Sequence, residues 1–153
     1  MQALELKVPP PIVMALIAIC MWCIGSLPPY LPVPALVRVV VALVVLLIGV
    51  AFSIAGVTTF KRAKTTLNPT KPETTTSLVS TGVYGITRNP MYVGLLFVLI
   101  GWAIYLSSFW ALIGPLVLVL YLTRFQIQPE ERVLATKFGA DFVAYQARVR
   151  RWL

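Results

Sequence analysis

The chain has 153 residues, 59% apolar and 12% charged, with a formal net charge of +8. Soluble domains carry about 25% charged residues and less than half apolar, so an ordinary soluble fold is excluded and a single membrane-embedded unit over 1–153 is expected. There is no histidine, which removes histidine bases, histidine metal ligands and Ser-His or Cys-His pairs.

Residues 1–20 resemble a signal peptide in apolar character but lack a basic leading segment and a small-residue cleavage site, so they read as a retained first helix. Four apolar spans follow, at about 12–27, 35–57, 91–107 and 109–127, predicting an all-α, four-helix integral membrane protein. The first is short for a ~30 Å hydrocarbon layer and is free to begin among the prolines at 9–11. Cys20 and Cys23 form C-x-x-C inside it. Two thiols on an apolar helix complete no tetrahedral site, so packing is their expected role and no metal is expected. Pro28, Pro29, Pro32 and Pro34 stiffen the first connection. Gly49 and Gly56 on the second span allow close helix packing, within one chain or between two. Ser107–Ser108 is so short a connection that the last two spans should form a tight hairpin.

Charge placement sets the orientation. The connection at 26–35 and the Ser107–Ser108 turn carry no charge. The loop at 58–90 carries Lys61, Arg62, Lys64, Lys71 and Arg88, and the tail carries Arg124, Arg132, Lys137, Arg148, Arg150 and Arg151. By the positive-inside rule both termini and the long loop are cytoplasmic. Arg38 alone lies at the opposite end, where it can snorkel. Anionic lipid headgroups, not nucleic acid, are the expected partners of these cations.

The loop at 58–90 is far longer than the dozen or so residues of a typical structureless connection. Its middle, TTLNPTKPETTTS, is expected to be extended. A functional loop and a solvated tether are both open readings. In the tail at 129–153, Leu134, Phe138, Phe142, Tyr145, Val149 and Trp152 fall on one helical face, with Gly139 able to break the helix in two. That face serves as an anchor on anionic lipid, as a cap over the cytosolic ends of the third and fourth spans, or as both.

Arg88-Asn89-Pro90 is a helix start: Asn is a strong N-cap and Pro is favoured at the first helical position. The same end offers backbone N–H groups to an anionic or acceptor-rich ligand, with the Arg88 fork beside them. Tyr92 and Gly94 follow one turn in, and Gly94 permits close approach of a backbone or a ligand. Glu130 and Glu131 follow Pro129. As neighbours on a helix they point about 100° apart, so only one is expected to face a shared pocket.

The run GVYGITRNPMYVG at 82–94, the pair Glu130–Glu131 and the ending FGADFVAYQARVRRWL together resemble the isoprenylcysteine carboxyl methyltransferase family, over about residues 58–153. The resemblance implies an S-adenosylmethionine-dependent membrane methyltransferase. In that reading Arg88, Asn89, Pro90, Tyr92, Gly94 and Glu131 hold the cofactor. Arg124 and Glu130 are candidates for the substrate end, where an arginine could orient a carboxylate acceptor; interfacial snorkelling is the alternative for Arg124. The acceptor would be lipid-like and enter from the bilayer. Asn89 stands where the family most often has His, and Val83 where a Pro is common. The four spans are fewer than in the eukaryotic enzymes, and the compact size points by analogy to a prokaryotic inner membrane.

Two rivals remain open. The family's fold is similar to that of NADPH-dependent sterol reductases, for which Tyr84 and Tyr92 are the available acids. A scaffold without chemistry is the other. A coupled carrier is disfavoured because no acidic residue lies within a predicted span.

Overall fold

The computed structural model describes residues 5–63 and 75–153. Most of the Thr- and Pro-rich middle of the long loop lies outside the described residues. The described chain is all-helical: α1 (Pro10–Gly25), α2 (Ala35–Arg62), a 3-10 turn (Gly82–Gly85), α3 (Pro90–Leu106), a second 3-10 turn (Trp110–Leu112), α4 (Ile113–Leu122), a π turn (Thr123–Ile127) and α5 (Gln128–Arg148). Two helical runs are long and apolar enough to cross a membrane, α2 with 28 residues and the run from Trp110 to Arg148 with 39. α1 and α3 are apolar but shorter, with 16 and 17 residues.

α2 extends five residues beyond its expected end at 57. Hydropathy falls at Thr58 and Thr59, but both hydroxyls bond back to Ala55 O, at 3.0 and 2.7 Å, and so stay within the helix. Lys61 and Arg62 then complement the dipole in the last turn.

Glycines set the distance between α2 and α3. The buried residues of α2 are Ala42, Gly49 and Gly56, seven apart along one seam. A Cβ added at Gly49 would sit 2.7 Å from Gly94 O, one at Gly94 2.6 Å from Gly49 O, and one at Gly101 3.0 Å from Ala42 O. The two backbones therefore touch, and packing within one chain accounts for Gly49 and Gly56. Cys20 and Cys23 are free thiols on the exposed side of α1, not packed as expected.

At the end of the bundle where α2 begins, the two uncharged connections are stitched together. Leu31 N–H donates to Ser107 O at 2.8 Å, Ser107 Oγ–H to Leu31 O at 3.0 Å, and the Trp110 indole to Pro28 O at 2.9 Å. Ser107 adopts φ 51°, which turns α3 back within the expected short hairpin.

The fourth span and the tail are not separate helices. α4 widens into the π turn and runs straight into α5. Pro129 has no N–H to give Phe125 O four residues back. That carbonyl is taken instead by Leu6 N–H at 3.0 Å, so a strap from the amino-terminal segment compensates the interruption. The predicted break does occur at Gly139, with φ 50° and ψ −124°, a conformation closed to residues with a Cβ.

Beyond that kink the apolar face folds back onto the protein. Phe142, Tyr145 and Val149 are buried together, with Leu78, Leu134 and Phe138 around them. Trp152 reaches the main core and donates its indole N–H to Thr123 Oγ1 at 3.2 Å. This packing on the protein is that of a cap.

Candidate functional site

The long loop, the start of α3 and both limbs of α5 converge on one cleft. Its walls are largely apolar, formed by Phe60, Leu78, Val79, Ile127, Leu134 and Phe142. Arg88, Asn89, Tyr92, Glu130 and Glu131 also line it. Five of the eight predicted site residues thus meet in one place.

Arg88 is held by the carboxyl-terminal limb. Its Nη1 donates to Val149 O at 2.6 Å and Gln146 O at 3.1 Å, and its Nη2 to Glu131 Oε1 at 2.8 Å. Arg151 closes on the same carboxylate, Nε to Oε1 at 3.0 Å and Nη2 to Oε2 at 2.6 Å. The backbone joins in, since Arg88 N–H donates to Arg150 O at 2.9 Å. Burial works to raise the Glu131 carboxyl, but Arg151 and Arg88 outweigh it and hold the group below the ordinary carboxylate range.

Asn89 occupies the N-cap position of α3 without capping it. Its side-chain amide donates to Arg151 O at 2.8 Å, because the folded-back tail presents a carbonyl there.

Glu130 lies past the apolar part of its helix, buried beside Tyr92 and Gln126. Tyr92 O–H donates to Glu130 Oε1 at 2.6 Å and Gln126 Nε2 to the same oxygen at 2.8 Å. Burial pushes the Glu130 carboxyl up to about 7, with those two donors opposing the shift and Glu131 adding to it. The two adjacent acids therefore sit in opposite electrostatic environments. Both line the cleft, contrary to the expectation that only one would, because the cleft wraps around the first turn of α5 between α3 and the returning tail.

Tyr145 donates its buried hydroxyl to Tyr84 O at 2.7 Å, pinning the tail to the 3-10 turn. Burial raises the Tyr145 phenol to about 12 and raises Tyr84 as well.

Three predicted residues stand elsewhere. Pro90 is a buried first residue of α3 and is not on the cleft wall. Gly94 admits the α2 backbone rather than a ligand. Arg124 faces outward, with its guanidinium over the Phe125 ring and its Nη1 2.6 Å from Glu5 Oε1. Glu5 also pairs with Arg132. The strap that reaches Phe125 O brings Glu5 there, a proximity invisible in a sequence separation of 119 residues.

Sequence reasoning missed Arg151, Gln126 and the cleft-lining residues of the loop. Gln126 stands one helical step before Glu130, a spacing that could have flagged it. Arg151 carries no local signal, since only the fold-back places it on Glu131. Two buried polar atoms in cleft residues, Arg88 Nε and Ser77 Oγ, have no hydrogen-bond partner among the described residues. Buried polar atoms without a partner are rare in folded proteins. Among the described residues no group of three or more Cys, Asp or Glu forms a metal site.

Comparison with known proteins decides the family. The sequence profile of the phospholipid methyltransferase family matches residues 37–141, about two thirds of the chain. The chain belongs to that family. Membership indicates a membrane methyltransferase, in keeping with the resemblance read from residues 82–94 and the acidic pair. The phospholipid methyltransferase match takes in α2 from its third residue, the Arg88 segment and the acidic pair, and ends before Tyr145 and Arg151. An uncharacterized protein of Haemophilus influenzae is 40% identical over 63 residues, 41% of this chain and 100% of that protein. No solved structure matches this phospholipid methyltransferase family member.

Proposed function

We propose that the protein transfers a methyl group from S-adenosylmethionine to a lipid-like acceptor at the cytosolic membrane surface. Four helices would cross the bilayer, with both termini cytoplasmic, the whole chain forming one catalytic domain of the isoprenylcysteine carboxyl methyltransferase type. A prokaryotic inner membrane is the location that its compact size favours. The observation that carries the reading is a largely apolar cleft where Arg88, Glu130 and Glu131 converge.

The residues fit this cofactor. Arg88 and Ser77 on the cleft wall offer donors to its carboxylate, Glu131 offers acceptors to its ammonium and ribose, and Leu78, Val79 and Phe142 offer apolar walls to its adenine. Bound there, it would supply a methyl group on a sulfonium, which leaves without acid assistance. The protein's part is then to orient the acceptor and exclude water, with the tail as lid. With Arg88 committed to Glu131 and the cofactor end, and Arg124 paired with Glu5, neither of these two arginines is placed to orient a carboxylate acceptor. The buried Glu130 instead suits an acceptor that is neutral or basic, and can take its proton.

Calorimetric titration of the detergent-solubilised protein with S-adenosylhomocysteine, run beside NADPH, tests the reading. Saturable binding of the first, weakened at least tenfold in Arg88→Ala, is expected. Binding of NADPH alone would move the protein to the reductases, and binding of neither by folded protein would leave a scaffold.

A further inference from the structure

A second cavity lies at the other end of the bundle. α1 and α2 both pack on α3 and leave a groove of about 350 Å³ between them. Met14 and Ala18 of α1, Val39 and Leu46 of α2, and Val98 and Trp102 of α3 mark its extent, and its surface is almost wholly apolar. Trp102 spends its indole N–H on Ala18 O at 3.1 Å, so that donor is not free to face the groove. From Val39 to Leu46, or from Tyr105 to Val98, is seven residues of helix, about 10 Å. That is most of one leaflet of a ~30 Å hydrocarbon core.

Arg38 stands at the groove's outer end. It is the one charged residue between Lys7 and Lys61, and no acidic residue lies between Glu5 and Glu73. Its guanidinium lies over the ring of Tyr105, a groove residue, at 5.8 Å, and its buried Nε has no hydrogen-bond partner. A half-buried cation at the mouth of a one-leaflet apolar slot, with no acidic residue near it in the chain, is complementary to an anion that carries a hydrocarbon chain. We propose that the groove seats one acyl chain of an anionic phospholipid from that leaflet, with Arg38 binding its phosphate. The site is separate from the cleft, which lies at the opposite end of α2 and α3. It rests on these helices crossing the bilayer and not on the cofactor reading.

Native mass spectrometry of the protein released from detergent, with phosphatidylglycerol or phosphatidylcholine of identical chains, tests it. The wild type should retain one phosphatidylglycerol at least fivefold better than phosphatidylcholine. Arg38→Gln should equalise the two lipids, and Ala18→Phe, which fills the groove, should lose both. Leu43→Trp, at the groove's exposed edge, repeats the filling test should Ala18→Phe fail to fold. Equal retention of the two lipids by the wild type, unchanged preference in Arg38→Gln, or a lipid-free dimer would each overturn the proposal. The homocysteine-analogue titration on the same samples separates failure of this site from failure of the cleft reading.

Discussion

Glu131 Oε1 lies 2.8 Å from Arg88 Nη2, although 43 residues separate them in the chain. The start of α3 and the start of α5 are locked through this pair, and Arg151 locks the tail onto the same carboxylate. Both side chains of the Arg88 pair are about nine-tenths covered, whereas Arg151 is 36% exposed. Removing the shared acid leaves Arg88 buried without its counter-ion, which costs far more than trimming an exposed partner. Glu131→Gln should therefore destabilise by about 3 kcal/mol, and Arg151→Gln by less than about 1 kcal/mol. Thermal unfolding in detergent reads both; equal shifts would contradict the geometry.

Glu130 predicts a pH slope. Its folded-state pKa is about 7 against the ordinary 4.5, so the folded protein binds the proton more tightly than the unfolded chain. Its stability contribution is therefore most favourable below 4.5 and declines as pH rises through about 7. Glu131 has the opposite sign: its contribution is present above the ordinary carboxylate pKa and is lost as pH falls through its depressed value. Between pH 5 and 7.5 the unfolding temperature should fall with rising pH in the wild type, and the slope should flatten in Glu130→Gln. A slope that survives the substitution would place the titration on another group.

The α2–α3 seam tolerates no side chain at Gly94. A Cβ there would approach Gly49 O to 2.6 Å, and backbone cannot rotate aside. Gly94→Ala should cost about 2 kcal/mol by overpacking. At Gly85 the nearest atom is Ser80 O at 3.8 Å, an ordinary contact, so Gly85→Ala should fall within about 0.5 kcal/mol of the wild type. The comparison separates a packing requirement from general glycine intolerance.

Pro129 and Leu6 make a further local test. Pro129→Ala supplies the N–H that the helix lacks, and this competes with Leu6 N–H for Phe125 O. Hydrogen exchange at Leu6 should accelerate several-fold, while the Glu5 pairs keep the segment near α5. Unchanged protection at Leu6 would show that the carbonyl serves both donors.

Tyr145→Phe removes the tail's hydroxyl from Tyr84 O, leaving a buried carbonyl without that donor. A loss of about 1–2 kcal/mol is expected. If the tail caps the cleft, S-adenosylhomocysteine affinity should fall with it, which titration of the folded variant would register.

Much of the helix placement was written locally. Apolar runs and Pro–Gly punctuation located the helices, because a backbone in hydrocarbon must satisfy its own hydrogen bonds. The Gly139 break and the apolar face from Leu134 to Trp152 followed from helical spacing. Arg88, Asn89, Tyr92 and the acidic pair were legible as a helix start and a second acidic helix start, and they do meet. What could not be read was which of two neighbouring groups would be spent on other parts of the chain. Gly94 went to α2, Arg124 to Glu5 and the Asn89 amide to Arg151 O, all through contacts between residues distant in sequence. The sequence by itself determined where the apolar helices begin, since spacing and prolines act over a few residues. Only the tertiary structure decided that Pro129 leaves the helix intact and that Arg151 returns to Glu131. Both depend on donors delivered from far along the chain to groups that cannot stay unpaired when buried.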